Sequence, residues 1–235
     1  MFVPVYDTNP LRSIKFQYVT FALVAVNLAV FALELTMLPP QVVAGFGVVP
    51  ANLLSSILAG GRAATGIALP PELVGLPTWA TLLSYMFLHG DIWHIGTNML
   101  FLWVFGDNVE DAMGHAKFLF FYLACGVFAG AAHTAMQPGS AVPLIGASGA
   151  VAGVIAAYVL LYPRVMVWVL AFRIIPLHIT AAFALGAWIV TQFVMVFLPP
   201  SGPPMPVAWW AHIGGLLAGA ALVLVLRRPG VRLFA

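Results

Sequence analysis

Charge is what this chain has least of. Only 7% of its 235 residues are Asp, Glu, Lys or Arg, where a soluble domain carries about 25%. A chain so poor in charge cannot cover a water-facing surface. With 63% hydrophobic residues and a mean hydropathy of +1.04, its apolar side chains must face lipid, which excludes an ordinary soluble enzyme or binding module. Cysteine is nearly absent too. Cys125 stands alone inside an apolar run, so no disulfide framework is expected. With no His-Glu-x-x-His motif either, no metal and no cofactor are expected. The net charge is only +2 with no basic cluster, which gives nucleic acid nothing to bind. No repeat, low-complexity segment, lipidation motif or second domain stands out, so residues 1–235 read as one domain.

What the chain does have is apolar runs of about 20 residues, the length that crosses a bilayer as a helix. They predict spans near 17–38, 93–113, 116–136, 147–163, 174–198 and 207–226. Arg12 and Lys15 precede the first, as in a signal peptide. That run is too long for a cleaved signal and no small-x-small site follows, so it reads as a retained helix. With six spans, the N-terminus, the second and fourth loops and the C-terminus share one side. They hold Arg12, Lys15, Lys117, Arg164, Arg173, Arg227, Arg228 and Arg232, leaving only Arg62 for the other. The positive-inside bias therefore predicts both termini to be cytoplasmic. The expected fold is an all-α six-helix membrane bundle. Its outer side holds a long first loop, 39–92, a short loop near 137–146 and a Pro-rich turn at 199–206. Ala51–Leu58 and Trp79–Leu88 in the first loop read as short helices lying in the interface.

Polar residues gather at one depth. Helices two, four and six start outside. His94 and Asn98 fall in the first turns of helix two, Ser148 at the start of helix four, and His212 about a turn and a half into helix six. Polar groups in membrane spans are costly and tend to mark function. His212, Gly215 and Gly219 share a face, and Gly149 and Gly153 form a second small-residue seam beside Ser148. Such seams let backbones approach closely, so that a serine on one helix can reach an imidazole on another. The first N–H groups of helix four lack internal acceptors and can donate to an oxyanion. His94 and Asn98, four residues apart on one face, can add to them. Each residue also has a plain explanation alone: a serine as N-cap, a histidine or asparagine as interhelical glue, glycines as packing. Those explanations leave the shared depth on three co-oriented helices unaccounted for.

At these residues the chain resembles the rhomboid family of intramembrane serine proteases. The resemblance runs from Ser84 to Leu226. It rests on His89-x4-His94-x3-Asn98, on Gly146-Ala147-Ser148-Gly149, on Ala211-His212-x2-Gly215-x3-Gly219, and on Phe105-Gly106-Asp107-Asn108-Val109-Glu110 at the inner end of helix two. It implies Ser148 as nucleophile and His212 as general base, then acid, in a dyad without an acidic member. His94, Asn98 and the Ser148 N–H are implied for the oxyanion hole, where Gly146 belongs to the serine motif, and His89 for a supporting role in the polar part of the site, with a structural role in the loop as the alternative. Asp91 is the one outside-facing acid near the site in sequence, so an acid assist from it is the alternative to a bare dyad; Glu34 and Glu72 are the other outside-facing acids. Glu110 is expected to anchor helix packing. His115, His133 and His178 are assigned no chemistry. Two features depart from the family. Trp79 is followed by Ala80 where many members carry Trp-Arg, and Ala152 stands where some carry a tyrosine that packs on the catalytic histidine.

The resemblance further implies single-span membrane proteins as substrates and partners, reaching the site sideways from the lipid bilayer. Helix five lacks acids and ends in Leu198-Pro199-Pro200-Ser201-Gly202-Pro203-Pro204, which suits a mobile gate. A bacterial inner membrane is the expected location. Two other readings compete. A transporter predicts polar groups at mid-membrane depth and repeat symmetry. A catalytically silent rhomboid-like escort factor usually lacks the serine or the histidine, and both are present here.

Overall fold

The computed structural model describes residues 2–58, 76–171, 174–198 and 207–235. Arg62, Glu72, Arg173 and the Pro-rich turn 199–206 lie outside the described residues. Among those described, nine α-helices run in order: α1 Tyr18–Thr36, α2 Pro40–Phe46, α3 Pro50–Leu58, α4 Thr81–Ser84, α5 Ile92–Met113, α6 His115–Met136, α7 Ser148–Leu161, α8 Ala181–Phe197 and α9 Trp209–Leu226. The apolar runs become helices between recognisable punctuation. Asp91 caps α5 by accepting the N–H groups of Trp93 at 2.8 Å and His94 at 2.9 Å, the usual role of an aspartate at that position. Thr180 caps α8 by accepting from Phe183. α7 stops at Leu161, just before Tyr162-Pro163, where proline bars helical geometry in the residue ahead of it.

Helices occupy all six predicted runs, as α1, α5, α6, α7, α8 and α9. By length and composition, α1, α6 and α9 can each cross a membrane. α5 is as long as α6 but carries Asp107, Glu110 and Asp111 in its last two turns, and α7 and α8 are shorter apolar helices. Between α1 and α5, α3 covers the stretch Ala51–Leu58. α4, with a 3₁₀ turn on either side at Thr78–Ala80 and Tyr85–Phe87, covers most of Trp79–Leu88.

The all-α expectation misses a sheet. β1 Phe2–Asp7, β2 Met166–Ala171 and β3 Ile175–Thr180 pair antiparallel in the order β1-β2-β3. Residues 175–180, expected to begin helix five, are instead strand, so that α8 starts at Ala181. Hydropathy counts apolar residues without distinguishing strand from helix. Pro176 inside the run, the alternating Val167 and Val169, and Thr180 as a helix cap carry the distinction. His178 stacks on Trp168 across the β2–β3 pair with ring centroids 4.6 Å apart.

α7 and α9 touch backbone to backbone. A methyl group on Gly215 would run into the Gly149 carbonyl, and one on Gly219 into the Gly153 carbonyl. A methyl on Gly153 would lie 2.5 Å from the Cys125 sulfur of α6. Tyr85 ties the segment between α1 and α5 into this assembly, its hydroxyl donating to the Gly126 carbonyl of α6 at 2.7 Å.

The opposite end of the bundle is a polar floor. The fully buried Glu110 carboxylate accepts the backbone N–H groups of Val19 and Thr20 and the Thr20 hydroxyl at 2.7–3.0 Å. It thereby caps α1, whose own N-cap residue, Gln17, makes no side-chain capping bond. His115 Nδ1 lies 2.5 Å from the same carboxylate. Asp111 accepts from the backbone N–H groups of Arg12, Ser13 and Ile14, and Asp7 accepts from the hydroxyl of Tyr158. Arg228 donates its N–H to Ala112 O and Phe234 to Leu160 O. Both ends of the chain therefore pack at the ends of α5 and α7 that lie away from Ser148 and His94.

Two outcomes are expected. Gly219→Leu should prevent a folded, monodisperse preparation, whereas Gly186→Ala, whose added methyl meets nothing within 4 Å, should not lower the melting temperature. Glu110→Ala should orphan buried donors at a cost of about 3 kcal/mol, seen as a fall of roughly 10 °C in the thermal melt.

Candidate active site

The turn before α7 is shaped by Gly146, whose φ of +121° is one that side-chain-bearing residues rarely adopt. A Cβ there would also lie 2.6 Å from His94 Nε2. The Gly146 N–H donates to the Tyr85 carbonyl at 2.9 Å, and the Ala147 N–H points to His89 Nε2 at 3.5 Å. His89 is buried at 3% exposure, and its own N–H meets the Glu34 carboxylate at 3.2 Å. Burial, with the adjacent His94 adding to it, pushes His89 down to about 4. The ring is therefore neutral near pH 7 and its Nε2 has a lone pair to offer. The His89 and His94 rings meet edge to face, 5.1 Å apart.

Ser148 is the first residue of α7, after the N-cap residue Ala147. Its hydroxyl lies 2.9 Å from His212 Nε2 on α9, within the range for direct proton transfer. The glycine contacts between α7 and α9 make this reach possible. The other ring nitrogen, Nδ1, lies 2.7 Å from Gln192 Oε1 on α8. Gln192 is buried, and its amide nitrogen donates to the Trp188 carbonyl at 2.9 Å. The Trp188 ring lies 5.8 Å from that of His212, and Trp209 meets His212 edge-on at 6.1 Å. Trp188 packs on the small-residue surface of Ala152 and Ala156. Ala152 thus leaves room for a ring supplied from α8.

The remaining sequence candidates divide. His94 lies against Gly146, two residues from Ser148, and accepts the Gly90 N–H at Nδ1, 3.4 Å away. Asn98 is buried one turn further along α5, and its Nδ2 donates to the His94 carbonyl at 3.0 Å rather than to Ser148. Asp91 has its carboxylate engaged in capping α5, and the group at His212 Nδ1 is an amide. Sequence reasoning looked for an acid and missed Gln192. The available signal was a glutamine inside the acid-free apolar run 174–198, one turn after Trp188.

Chemically, a serine hydroxyl bonded to an imidazole nitrogen can give up its proton as its oxygen attacks a carbonyl. The free N–H groups at the start of α7 are placed to receive the resulting negative charge. Among the described residues, no three His, Cys, Asp or Glu side chains form a set that could hold a metal ion.

Comparison with known proteins agrees with the motifs. The family model of the Rhomboid domain matches residues 77–229. The chain is 32% identical over 161 residues to Rhomboid protease GluP of Bacillus subtilis, covering 68% of this chain and 29% of that protein. It is 30% identical over 161 residues to the chloroplastic Rhomboid-like protein 11 of Arabidopsis thaliana, covering 65% and 54%. Over 99 residues it is 30% identical to the mitochondrial Rhomboid protein 1 of Saccharomyces cerevisiae, covering 40% and 28%. The chain thus spans well under two thirds of the length of these relatives. With more than half of its residues matched by the family model and apolar helices long enough to cross a membrane, this chain belongs to the rhomboid family of integral membrane proteins.

Proposed function

We propose that this protein is an intramembrane serine endopeptidase acting on single-span membrane proteins. The observation that carries the reading is the 2.9 Å hydrogen bond from Ser148 Oγ to His212 Nε2 at the first residue of α7. Ser148 Oγ attacks the substrate carbonyl carbon while His212 Nε2 takes its proton. The tetrahedral oxyanion is met by the Ser148 N–H and by His94 and Asn98 from α5. As the C–N bond breaks, His212 returns the proton to the leaving amine. Water, activated by the same nitrogen, then releases the acyl group from Ser148. Gly146 keeps the turn narrow enough for the His94 ring, and His89 holds the Ala147 N–H, so that both support this arrangement.

We read α1, α5, α6, α7, α8 and α9 as six crossings of one unit over 1–235, with the polar floor and both termini cytoplasmic. Eight of the nine Lys and Arg residues fall on the sequence segments assigned to that side. α7 has 14 residues, about 21 Å at 1.5 Å per residue, against a hydrocarbon core of about 30 Å. With its end at the floor, Ser148 stops about 9 Å below the outer surface. That depth suits a site reached by water from outside and by substrate from the side. α8 exposes Phe183, Val190, Phe193, Val194 and Phe197 and meets α5 through Trp188 and Phe101, with rings 6.3 Å apart. The space between α8 and α5 is the proposed lateral gate. The name of the Bacillus subtilis relative supports the protease reading; a bacterial inner membrane is our proposed location, and the yeast and Arabidopsis relatives carry organelle names.

Cleavage of a model single-span substrate should require both dyad members. Ser148→Ala and His212→Ala should each lower kcat by on the order of 10⁴-fold or more, and a fluorophosphonate should label the wild type at Ser148 alone. A folded wild-type chain that binds substrate without cutting or labelling would instead establish the escort role. A thiol cross-link between Phe101→Cys and Trp188→Cys should abolish cutting of the membrane substrate relative to the same pair left open, and unchanged turnover would reject the gate.

A further inference from the structure

We infer that Gln192 is a positioning residue for His212, its amide oxygen holding the imidazole in the tautomer that leaves Nε2 free to take the Ser148 proton. The inference rests on the protease reading above. It starts from a chain of hydrogen bonds whose direction is forced at every link. The Trp188 carbonyl can only accept, so the Gln192 atom 2.9 Å from it must be the amide nitrogen. The reversed amide would set two acceptor oxygens against each other. With the nitrogen so engaged, Gln192 Oε1 faces His212 Nδ1 at 2.7 Å. That oxygen too can only accept, so Nδ1 must carry the ring proton. In the neutral imidazole Nε2 then bears the lone pair, and it is Nε2 that lies 2.9 Å from Ser148 Oγ.

A glutamine kept only for packing α8 would need the Trp188 bond and nothing more. Gln192 is 2% exposed, and a buried amide oxygen without a partner is costly. His212 Nδ1 is the partner it has. The neighbours complete the fit, because Trp188 and Trp209 bound the same ring and limit how far it can swing. After proton transfer, Nδ1–H keeps its acceptor, so the imidazolium forms without a change in ring position. An amide does this without a formal charge, which suits a site where, among the described residues, the His212 ring bonds Gln192 and Ser148 and no carboxylate.

The test compares wild type, Gln192→Met and Gln192→Glu in detergent, with folding checked by circular dichroism and size exclusion. Methionine keeps the bulk without a strong acceptor, and glutamate restores an acceptor in the same place. The ¹⁵N spectrum of histidine-labelled wild type, with the His212 signals assigned against His212→Ala, should show Nδ1 protonated and Nε2 free. Gln192→Met should lose that pattern. Its fluorophosphonate labelling and kcat should fall roughly ten- to hundredfold with KM unchanged, the usual range for a lost ring-orienting partner. Gln192→Glu should recover the rate, with activity lost at a higher pH on acidification than in wild type. A wild-type ring protonated at Nε2 would overturn the inference. So would a Met variant that matches wild type in spectrum and rate, or a Glu variant as slow as Met at every pH. If the wild type shows the Nδ1 proton but neither labels nor cuts, the orienting contact stands and the protease reading fails.

Discussion

The backbone contact between α7 and α9 is the constraint on which the rest depends. Gly149 and Gly153 on one helix meet Gly215 and Gly219 on the other with no side chain between them. Lipid supplies no hydrophobic drive to press helices together, so close packing of small residues must hold them. The same contact fixes the spacing of the two side chains of the proposed dyad, since Ser148 precedes Gly149 by one residue and His212 precedes Gly215 by one turn. A larger residue at Gly215 or Gly219 would separate the helices and the dyad together, whereas one at Gly149 or Gly153 would press α7 first against α6. Stability and the proposed chemistry therefore share one determinant.

The rest of the molecule divides its polar groups between two ends. At one, Glu110, Asp111 and Asp7 satisfy backbone and hydroxyl donors of the N-terminal segment and of α7. These carboxylates are anchors, each surrounded by the donors it needs. At the other end the polar groups come from α5, α7, α8 and α9, together with the loop that carries His89, and some remain incompletely satisfied. The first N–H groups of α7 lack helical acceptors. Partly unsatisfied polarity in an apolar setting is costly and is expected where function requires it.

Much of this was legible in the sequence, for reasons tied to particular residues. Helix positions followed from apolar length, and the shared depth of His94, Ser148 and His212 followed from where those helices begin. The glycine seams followed from spacing alone. Hydropathy failed at β3, where an apolar run contains both a strand and a helix; Pro176 and Thr180 mark the division locally. β1 was missed because its partner, β2, lies more than 150 residues away, and a pairing that distant leaves no local period. Gln192 was missed for a different reason. The contact between its side chain and His212 is set by how α8 lies across α9, and only the assembled bundle contains that information.

The placement of Gln192 on α8 has a mechanical consequence. α8 is fastened at its first turn, where Ala181 donates to Val165 O at 2.8 Å and Ala182 to Pro163 O at 2.9 Å. Gln192 lies eleven residues beyond Ala181, on an arm about 17 Å long at 1.5 Å per residue. A tilt of about 5° about that fastening swings the far end by about 1.5 Å. That carries the 2.7 Å contact with His212 past the hydrogen-bond limit of about 3.2 Å, while Ser148 and α9 stay where they are. Under the proposed orienting role of Gln192, a single imidazole ring would thereby register a displacement of α8.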